Sequence, residues 1–128
     1  MLRFLQGDLF DSEAQTLVNP VNLVGFMGKG VALQFKKRYP EMYEDYKRLC
    51  ESGALEMGKL HLYKGRDRWV LNFPTKRHYR SQSKLEYVET GLQILRDNYR
   101  DWGITSLAVP ALGCGLGGLS LPDVSMLL

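Results

Sequence analysis

Two glycine-rich segments constrain this chain more than any other feature of its sequence. Residues 25–30 contain three glycines and residues 113–118 contain four. Each segment follows an apolar strand pattern, at residues 16–21 and 104–109, and each precedes a helix pattern. Because glycine alone enters positive φ freely, such segments are typical of loops. Two strand–loop–helix junctions predict an α/β fold in which both loops lie at the carboxyl edge of one sheet, where ligands bind in such folds.

The remaining patterns alternate between strands and helices in the same way. Apolar or alternating runs predict strands at residues 2–6, 60–63 and 69–73. Helices are predicted at residues 31–39, from Pro40 to about residue 50, from the capping box Ser83–Glu86 to about residue 99, and from Ser120 onward. The third of these helices carries its apolar residues on one face, at Leu85, Val88, Leu92 and Leu95. Strands interleaved with helices indicate an α/β sandwich.

The composition excludes several other classes of protein. The 128 residues are 45% hydrophobic and 24% charged, which is typical of a globular domain and excludes disorder or a disulfide scaffold. No apolar stretch approaches the ~20 residues of a transmembrane helix, and the N-terminus lacks the apolar segment of a signal peptide. The two cysteines, Cys50 and Cys114, are expected to be free thiols in a reducing cytoplasm. We therefore expect one cytoplasmic domain, residues 1–128, without membrane contact.

The charge and the glycines together permit an anionic ligand. The net charge is +3, and basic residues are concentrated at 36–38 and 76–80, which form either solvated faces or an anion-binding surface. Glycines at a helix start let backbone N–H groups approach a phosphate, and the helix dipole adds roughly half a positive charge there. Two such loops side by side suit a diphosphate. Neither loop has the Gly-Lys-Ser/Thr ending of a P-loop or the Rossmann fingerprint.

Three further residues each allow a structural and a functional interpretation. Asp8, after the first strand, either accepts a hydrogen bond from an exocyclic amine such as that of adenine or caps a turn. Asn22, after the second strand, either binds ribose hydroxyls or forms a turn. Cys114 lies where a thiol can be activated, but it has no clear base partner, which favours a small packed residue. The His, Cys and carboxylate residues show no metal-site spacing, so no metal is expected.

Five motifs together resemble the macrodomain family, in order and spacing, over essentially the whole chain. They are Gly7–Phe10, Asn19–Asn22, Met27–Ala32, Asn72–Lys76 and Pro110–Gly118. Met-Gly-Lys-Gly combined with Asn-Phe-Pro-Thr-Lys resembles the DNA ADP-ribosyl glycohydrolase branch, the DarG type of antitoxin. The resemblance implies a three-layer α/β/α fold with a mixed central sheet.

The resemblance also implies a short carboxyl end. Macrodomains finish the helix begun at Ser120 and add a last strand, which lies between the first strand and strand 104–109. We expect this chain to lack both. The first strand is then expected either to lack its usual neighbour or to have the gap closed in another way.

The resemblance further implies an ADP-ribose site at the carboxyl ends of the strands. Asp8 takes the adenine amine with the Leu9 backbone beside it, and Asn22 meets the distal ribose. The first phosphate loop comprises Met27, Gly28, Lys29, Gly30 and Val31, and the second comprises Gly113, Cys114, Gly115, Leu116 and Gly117. This assignment agrees with the diphosphate interpretation of the glycines. No cofactor is expected.

Lys76 matches the catalytic lysine of the related hydrolases. It can attack C1 of the distal ribose once deprotonated, or stabilise the departing oxocarbenium and base. Because a free lysine titrates at about 10.4, attack requires a pKa lowered by burial or by a cationic neighbour such as Arg77 or His78. The relatives that act on glutamate carry an Asp where this chain has Gly117. That departure disfavours a Lys–Asp pair and a protein-glutamate substrate.

The expected function is therefore removal of ADP-ribose from a base of single-stranded DNA, with thymine as the expected base, in reversal of a cognate ADP-ribosyltransferase toxin. Candidate DNA contacts are Arg77, His78, Tyr79, Arg80 and Lys84, which could bind phosphates and stack on an unpaired base. Two alternatives stay open: a module that binds ADP-ribose without turnover, and a hydrolase of protein-linked ADP-ribose. A nucleic-acid binder without activity is disfavoured by the slight net charge.

Overall fold

A computed structural model describes residues 2–4, 9–11, 13–28, 30–78 and 85–109. Its strands are β1 (Leu2–Phe4), β2 (Thr16–Val21), β3 (His61–Lys64), β4 (Trp69–Pro74) and β5 (Leu107–Val109). Its α-helices are α1 (Gly30–Arg38), α2 (Pro40–Ser52) and α3 (Leu85–Asn98), and a single 3-10 turn covers Leu9–Asp11. Among the described residues, no helix is long and apolar enough to cross a membrane.

The strands form one mixed sheet in the order β1-β5-β2-β4-β3. Neighbouring strands are parallel except for β3 and β4, which form an antiparallel hairpin. The longest pairing joins β2 to β4 over six residue pairs, from Thr16 opposite Trp69 to Val21 opposite Pro74. β1 pairs directly with β5, so the gap expected beside the first strand is closed by that contact.

Helices α1 and α2 cover one face of this sheet. Alternate residues of the strands, Leu17 and Val21 of β2 and Val70 of β4, point to this side and pack with Phe35, Met42 and Tyr46 of the two helices. The side chains that alternate with them, such as Val18, lie in the core of the other face. Because both faces are covered, all six residues of β2 are buried, as expected for a central parallel strand.

Helix α3 covers the opposite face and packs against Phe73 of β4. Val88, Leu92 and Leu95 are buried there with Leu71 and Phe73, which confirms these positions as the apolar face of the helix. The helix approaches the sheet closely at Gly91, where an added Cβ would lie 2.3 Å from Cζ of Phe73. With helices on both faces, the three-layer α/β/α arrangement is confirmed.

Most predicted elements are present with shifts of one or two residues, and β5 differs most. Its predicted start at Ile104 is wrong because the amides there bond outside the sheet. The N–H of Ile104 donates to O of Tyr99 at 2.9 Å, and the N–H of Thr105 donates to Oε1 of Gln15 at 2.8 Å. Ladder pairing therefore begins only at Leu107. The capping residue Ser83 and the helix predicted from Ser120 lie outside the described residues.

The contact between Gly91 and Phe73 predicts a destabilising substitution. Gly91→Ala should lower the free energy of unfolding by roughly 1–2 kcal/mol, because overpacking of the ring outweighs the better helix propensity of alanine. Urea denaturation measures this change, and the exposed Gln93→Ala on the same helix should stay within about 0.5 kcal/mol of wild type. In a Phe73→Leu background the cost of Gly91→Ala should shrink. An equal cost in both backgrounds would contradict the assigned contact.

Candidate functional site

The pairing of β2 with β4 continues beyond the ends of both strands. The N–H of Thr75 donates to O of Val21 at 3.0 Å, and the N–H of Leu23 donates to O of Arg77 at 3.1 Å. Lys76 lies between these two hydrogen bonds, half-buried, at the carboxyl edge of the sheet. The backbone on either side of this residue is thus tied to β2 at Val21 and to Leu23 in the segment that follows it.

Asn22, the first residue after β2, organises the loop at residues 23–28. Its side chain is 5% exposed. Its Nδ2 donates to O of Phe26 at 2.7 Å, and its Oδ1 accepts from N–H of Val24 at 3.1 Å and from the hydroxyl of Tyr46 at 2.8 Å. The bond to the amide two residues later is that of an asparagine turn. The structure therefore shows the turn role for Asn22, while its contact with a ribose stays a prediction.

Helix α2 contacts this loop and Asn22 through two tyrosine side chains. The hydroxyl of Tyr43 donates to O of Gly25 at 2.9 Å, and Gly25 has φ of +82°. Tyr46 is fully buried, and its burial together with the neighbouring Cys50 raises its pKa far above the ordinary value, so its hydroxyl stays a donor. Burial also raises the pKa of the Cys50 thiol, which makes the thiol a neutral packing group.

The structure describes the predicted first phosphate loop except for Lys29. The Met27 side chain is buried at 1% exposure, so only the backbone of this residue can face a phosphate. The Phe26 ring covers Gly28, where an added Cβ would lie 2.2 Å from Cζ of the ring. Gly30 begins α1 with φ of +64° and has no atom within 4 Å of its Cβ position. Val31 is exposed at the same helix start, where backbone N–H groups attract anions.

Some of the other predicted site residues are described by the structure, and the rest lie outside the described ranges. Leu9 is buried in the core beneath α1 and α2, so only its backbone can lie beside an adenine. Arg77 and His78 are exposed after Lys76, and Cζ of Arg77 lies 5.8 Å from the centre of the Tyr87 ring. The described residues contain no group of His, Cys, Asp or Glu that could hold a metal ion. Predicted residues outside the described ranges are Asp8, Lys29, Tyr79, Arg80, Lys84, Gly113, Cys114, Gly115, Leu116 and Gly117.

A buried row of hydrogen-bonded side chains near the loop at residues 23–28 was not predicted from the sequence. Asn19 of β2 and Asn72 of β4 lie opposite each other, and Nδ2 of Asn19 donates to Oδ1 of Asn72 at 3.0 Å. Nδ2 of Asn72 in turn lies 2.9 Å from Nδ1 of His61 on β3. Both asparagines are fully buried. The available signal was an asparagine inside each of two apolar strand patterns, because a buried amide needs a partner.

The donor and acceptor roles in these hydrogen bonds indicate the protonation state of His61. Asn72 uses its oxygen to accept from Asn19 and its nitrogen to donate, so Nδ1 of His61 must carry the accepting lone pair. Burial lowers the pKa of His61, and nearby Asp45 opposes this shift. A proton on Nδ1 would place two donors against each other. Burial and this hydrogen bond thus both favour the neutral form of His61 in the folded protein.

Comparison with known proteins finds a family model and several solved structures that match this chain. Residues 18–128 match the family model described as Macro domain. A DNA ADP-ribosyl glycohydrolase of Thermus aquaticus is 45% identical over 128 residues, which cover 97% of this chain and 36% of the relative. The macrodomain of Mycobacterium tuberculosis DarG is 46% identical and superposes with a TM-score of 0.91, covering 98% of this chain and 86% of that one.

Two matches come from Thermosipho africanus, and the name of one of them combines two activities. A protein named as a DNA ADP-ribosyl transferase–DNA ADP-ribosyl glycohydrolase fusion is 41% identical, covering 99% of this chain and 38% of the fusion. The structure of Thermosipho africanus DarTG in complex with ADP-ribose matches with a TM-score of 0.89 and 43% identity, covering 98% of this chain and 37% of that one. The chain thus spans well under half of these longer relatives.

The hydroxyl of Tyr46 predicts a local effect on the loop. Tyr46→Phe should lower the free energy of unfolding by about 1 kcal/mol, because it removes a buried hydroxyl that donates to both O and Oδ1 of Asn22. The amides of Val24 and Phe26 should exchange faster with solvent, since their acceptor on Asn22 is less fixed. Denaturation and amide hydrogen exchange measure the two effects. Tyr63→Phe, which removes an exposed bond to Glu41, should change neither, and equal effects of both variants would contradict the assignment.

The neutral state of His61 predicts a pH dependence of stability. Because its pKa is lower in the folded than in the unfolded protein, the unfolded state binds more protons as the pH falls below about 6.5. The contribution of His61 is complete above that pH and is lost as the pH falls through the folded pKa. Urea denaturation at pH 7.5 and 5.0 should show a larger loss for wild type than for His61→Gln, which keeps an acceptor without titrating. Parallel losses would contradict the neutral assignment.

Proposed function

Because the chain belongs to the macrodomain family, we propose that its strand-edge cleft binds ADP-ribose and that it removes ADP-ribose from a base of single-stranded DNA. One observation carries the proposal: the chain is 45% identical, over 97% of its length, to a protein named as a DNA ADP-ribosyl glycohydrolase. We take thymine as the base. A cognate ADP-ribosyltransferase toxin, active on DNA in the cytoplasm, would supply the substrate.

The described residues support an ordered placement of the ligand. The diphosphate lies at Gly30, where no atom lies within 4 Å of the Cβ position and where the helix start favours an anion. From the family resemblance, the segment 113–117 is assigned to the second phosphate loop and Asp8 to the adenine, and both lie outside the described residues. The distal ribose then extends toward the end of β4, where the sheet register holds Lys76 beside the segment after Asn22.

Lys76 is the residue we assign to the chemistry. The reaction breaks the bond between C1 of the distal ribose and a nitrogen of the base. Water supplies the hydroxyl that remains on C1 and the proton that returns to the base. A neutral Lys76 amine can attack C1 and then be displaced by water, or the lysine can stabilise the separating ribose and base. Both roles need a side chain held at the ribose end of the cleft, which the backbone position of Lys76 supports.

The surface beside Lys76 supports a nucleic-acid substrate. Arg77 and His78 are both exposed there, and Arg77 lies over the ring of Tyr87. A guanidinium and an imidazole at the mouth of a cleft can bind the phosphates that flank a modified base. Tyr79, Arg80 and Lys84 extend this basic segment in the sequence. The absence of an Asp at Gly117 supports DNA over protein-linked glutamate as the acceptor.

The proposal predicts a large effect of two substitutions at residue 76. On a single-stranded oligonucleotide ADP-ribosylated at one thymine, Lys76→Ala should lower kcat at least about 100-fold. Lys76→Arg should be equally inactive if the neutral amine attacks C1, because a guanidinium does not deprotonate. Chromatography of released ADP-ribose measures both rates. Calorimetry should show that both variants still bind free ADP-ribose.

The controls separate this function from the two alternatives. Lys59→Ala, an exposed lysine after α2, should keep full activity. Failure of the wild type to release ADP-ribose from the oligonucleotide would overturn the proposal. Release only from a glutamate-modified protein would then identify a protein-directed hydrolase. Binding of ADP-ribose without release from either substrate would identify a reader module.

A further inference from the structure

Phe26 is a large apolar side chain that the fold leaves at the surface. The residue is 46% exposed, although the next residue, Met27, is buried. It belongs to the loop that separates β2 from α1 and directly precedes the first phosphate loop. Exposed aromatic rings beside a ligand site are common contact points for ligands and partners.

The position of Phe26 is fixed from its own backbone. Its N–H donates to Oδ1 of Asn22 at 3.4 Å, and its O accepts from Nδ2 of Asn22 at 2.7 Å. The ring lies over the backbone of Gly28, where any Cβ would lie 2.2 Å from it. The bonds of Asn22 hold the backbone of Phe26, and the ring rests on Gly28 with nearly half of the residue exposed.

Basic residues contact the loop at Gly25 and Leu23, directly or through Tyr43. Lys47 of α2 lies beneath Gly25, with Cγ 3.6 Å from the Cβ position of the glycine. Nζ of Lys36 lies 4.5 Å from the centre of the Tyr43 ring, and the hydroxyl of Tyr43 bonds to Gly25. The backbone of Leu23 is bonded to that of Arg77, whose side chain is exposed. An exposed aromatic ring on a loop with basic residues near it is typical of surfaces that bind single-stranded nucleic acid without reading its sequence.

We infer that the Phe26 ring stacks on the base adjacent to the modified one in single-stranded DNA, while Lys36, Lys47 and Arg77 contact phosphates. The inference rests on the proposed function and names a second part of the same substrate. The loop that carries the ring adjoins the segment of Lys76: Asn22 bonds to Phe26, and the N–H of the next residue, Leu23, donates to O of Arg77. Stacking is tolerant of sequence, so Phe26 favours single strands over duplexes and does not select a base.

Two substrates separate stacking from catalysis. One is a single-stranded oligonucleotide ADP-ribosylated at a central thymine, and the other is ADP-ribosylated thymidine without neighbouring nucleotides. Phe26→Ala should raise KM for the oligonucleotide by roughly tenfold and leave kcat unchanged, because one stacking contact is lost. It should not change KM for the thymidine substrate. Phe26→Trp should keep the low KM for the oligonucleotide, since a larger ring stacks as well.

The matched control is Val24→Ala, because Val24 is 48% exposed on the same loop and bonds through its backbone. It should leave both values of KM unchanged. Calorimetry should give Phe26→Ala the wild-type affinity for free ADP-ribose. Equal losses on both substrates, or a weaker affinity for free ADP-ribose, would overturn the inference, because the ring would then serve ADP-ribose or the fold of the loop.

Binding in an inactive background keeps this test independent of turnover. Fluorescence anisotropy can compare Lys76→Ala with Lys76→Ala/Phe26→Ala on the same modified oligonucleotide. A dissociation constant roughly tenfold higher for the double variant supports stacking. Equal constants overturn it, whether or not the wild type is a hydrolase. A wild type that binds the oligonucleotide but releases nothing overturns the proposed function alone.

Discussion

The parallel pairing of β2 with β4 is the constraint from which the site is built. The two strands share six residue pairs, and their buried side chains belong to both cores of the molecule. The same ladder carries on past the strand ends to Thr75 and Leu23. Lys76 and Asn22 are therefore placed by sheet hydrogen bonds that the core already requires. The loop segments that follow these residues therefore start from fixed positions, since rigid elements position functional groups better than free loops do.

Periodicity predicted the central elements well because burial decides them. The predicted strand at residues 16–21 has the observed bounds of β2, and the apolar face of α3 is occupied as predicted by Val88, Leu92 and Leu95. The ends of elements were less predictable, because they depend on single hydrogen bonds. The amide of Ile104 illustrates this: it donates to O of Tyr99, the residue after α3, and a strand pattern in the sequence cannot reveal that hydrogen bond.

The candidate site was predictable where local chemistry determines it and not where distant partners do. The glycines predicted a loop followed by a helix, and α1 does begin at Gly30, while its contact with a phosphate stays a prediction. The bond between Asn19 and Asn72 joins residues 53 positions apart, and the accepting nitrogen of His61 follows from that bond. No local pattern contains this information. The surface position of Phe26 has the same origin, because it depends on how Asn22 closes the loop.

The hydrogen bonds of Asn22 also determine how a ligand meets this loop. The polar groups of Val24, Gly25 and Phe26 that close the turn are satisfied within the protein, by Asn22 and Tyr43. A ligand therefore does not have to order this segment when it binds, and little conformational entropy is lost there. Association through this loop should be governed by diffusion and electrostatic attraction, with differences in affinity expressed as differences in residence time.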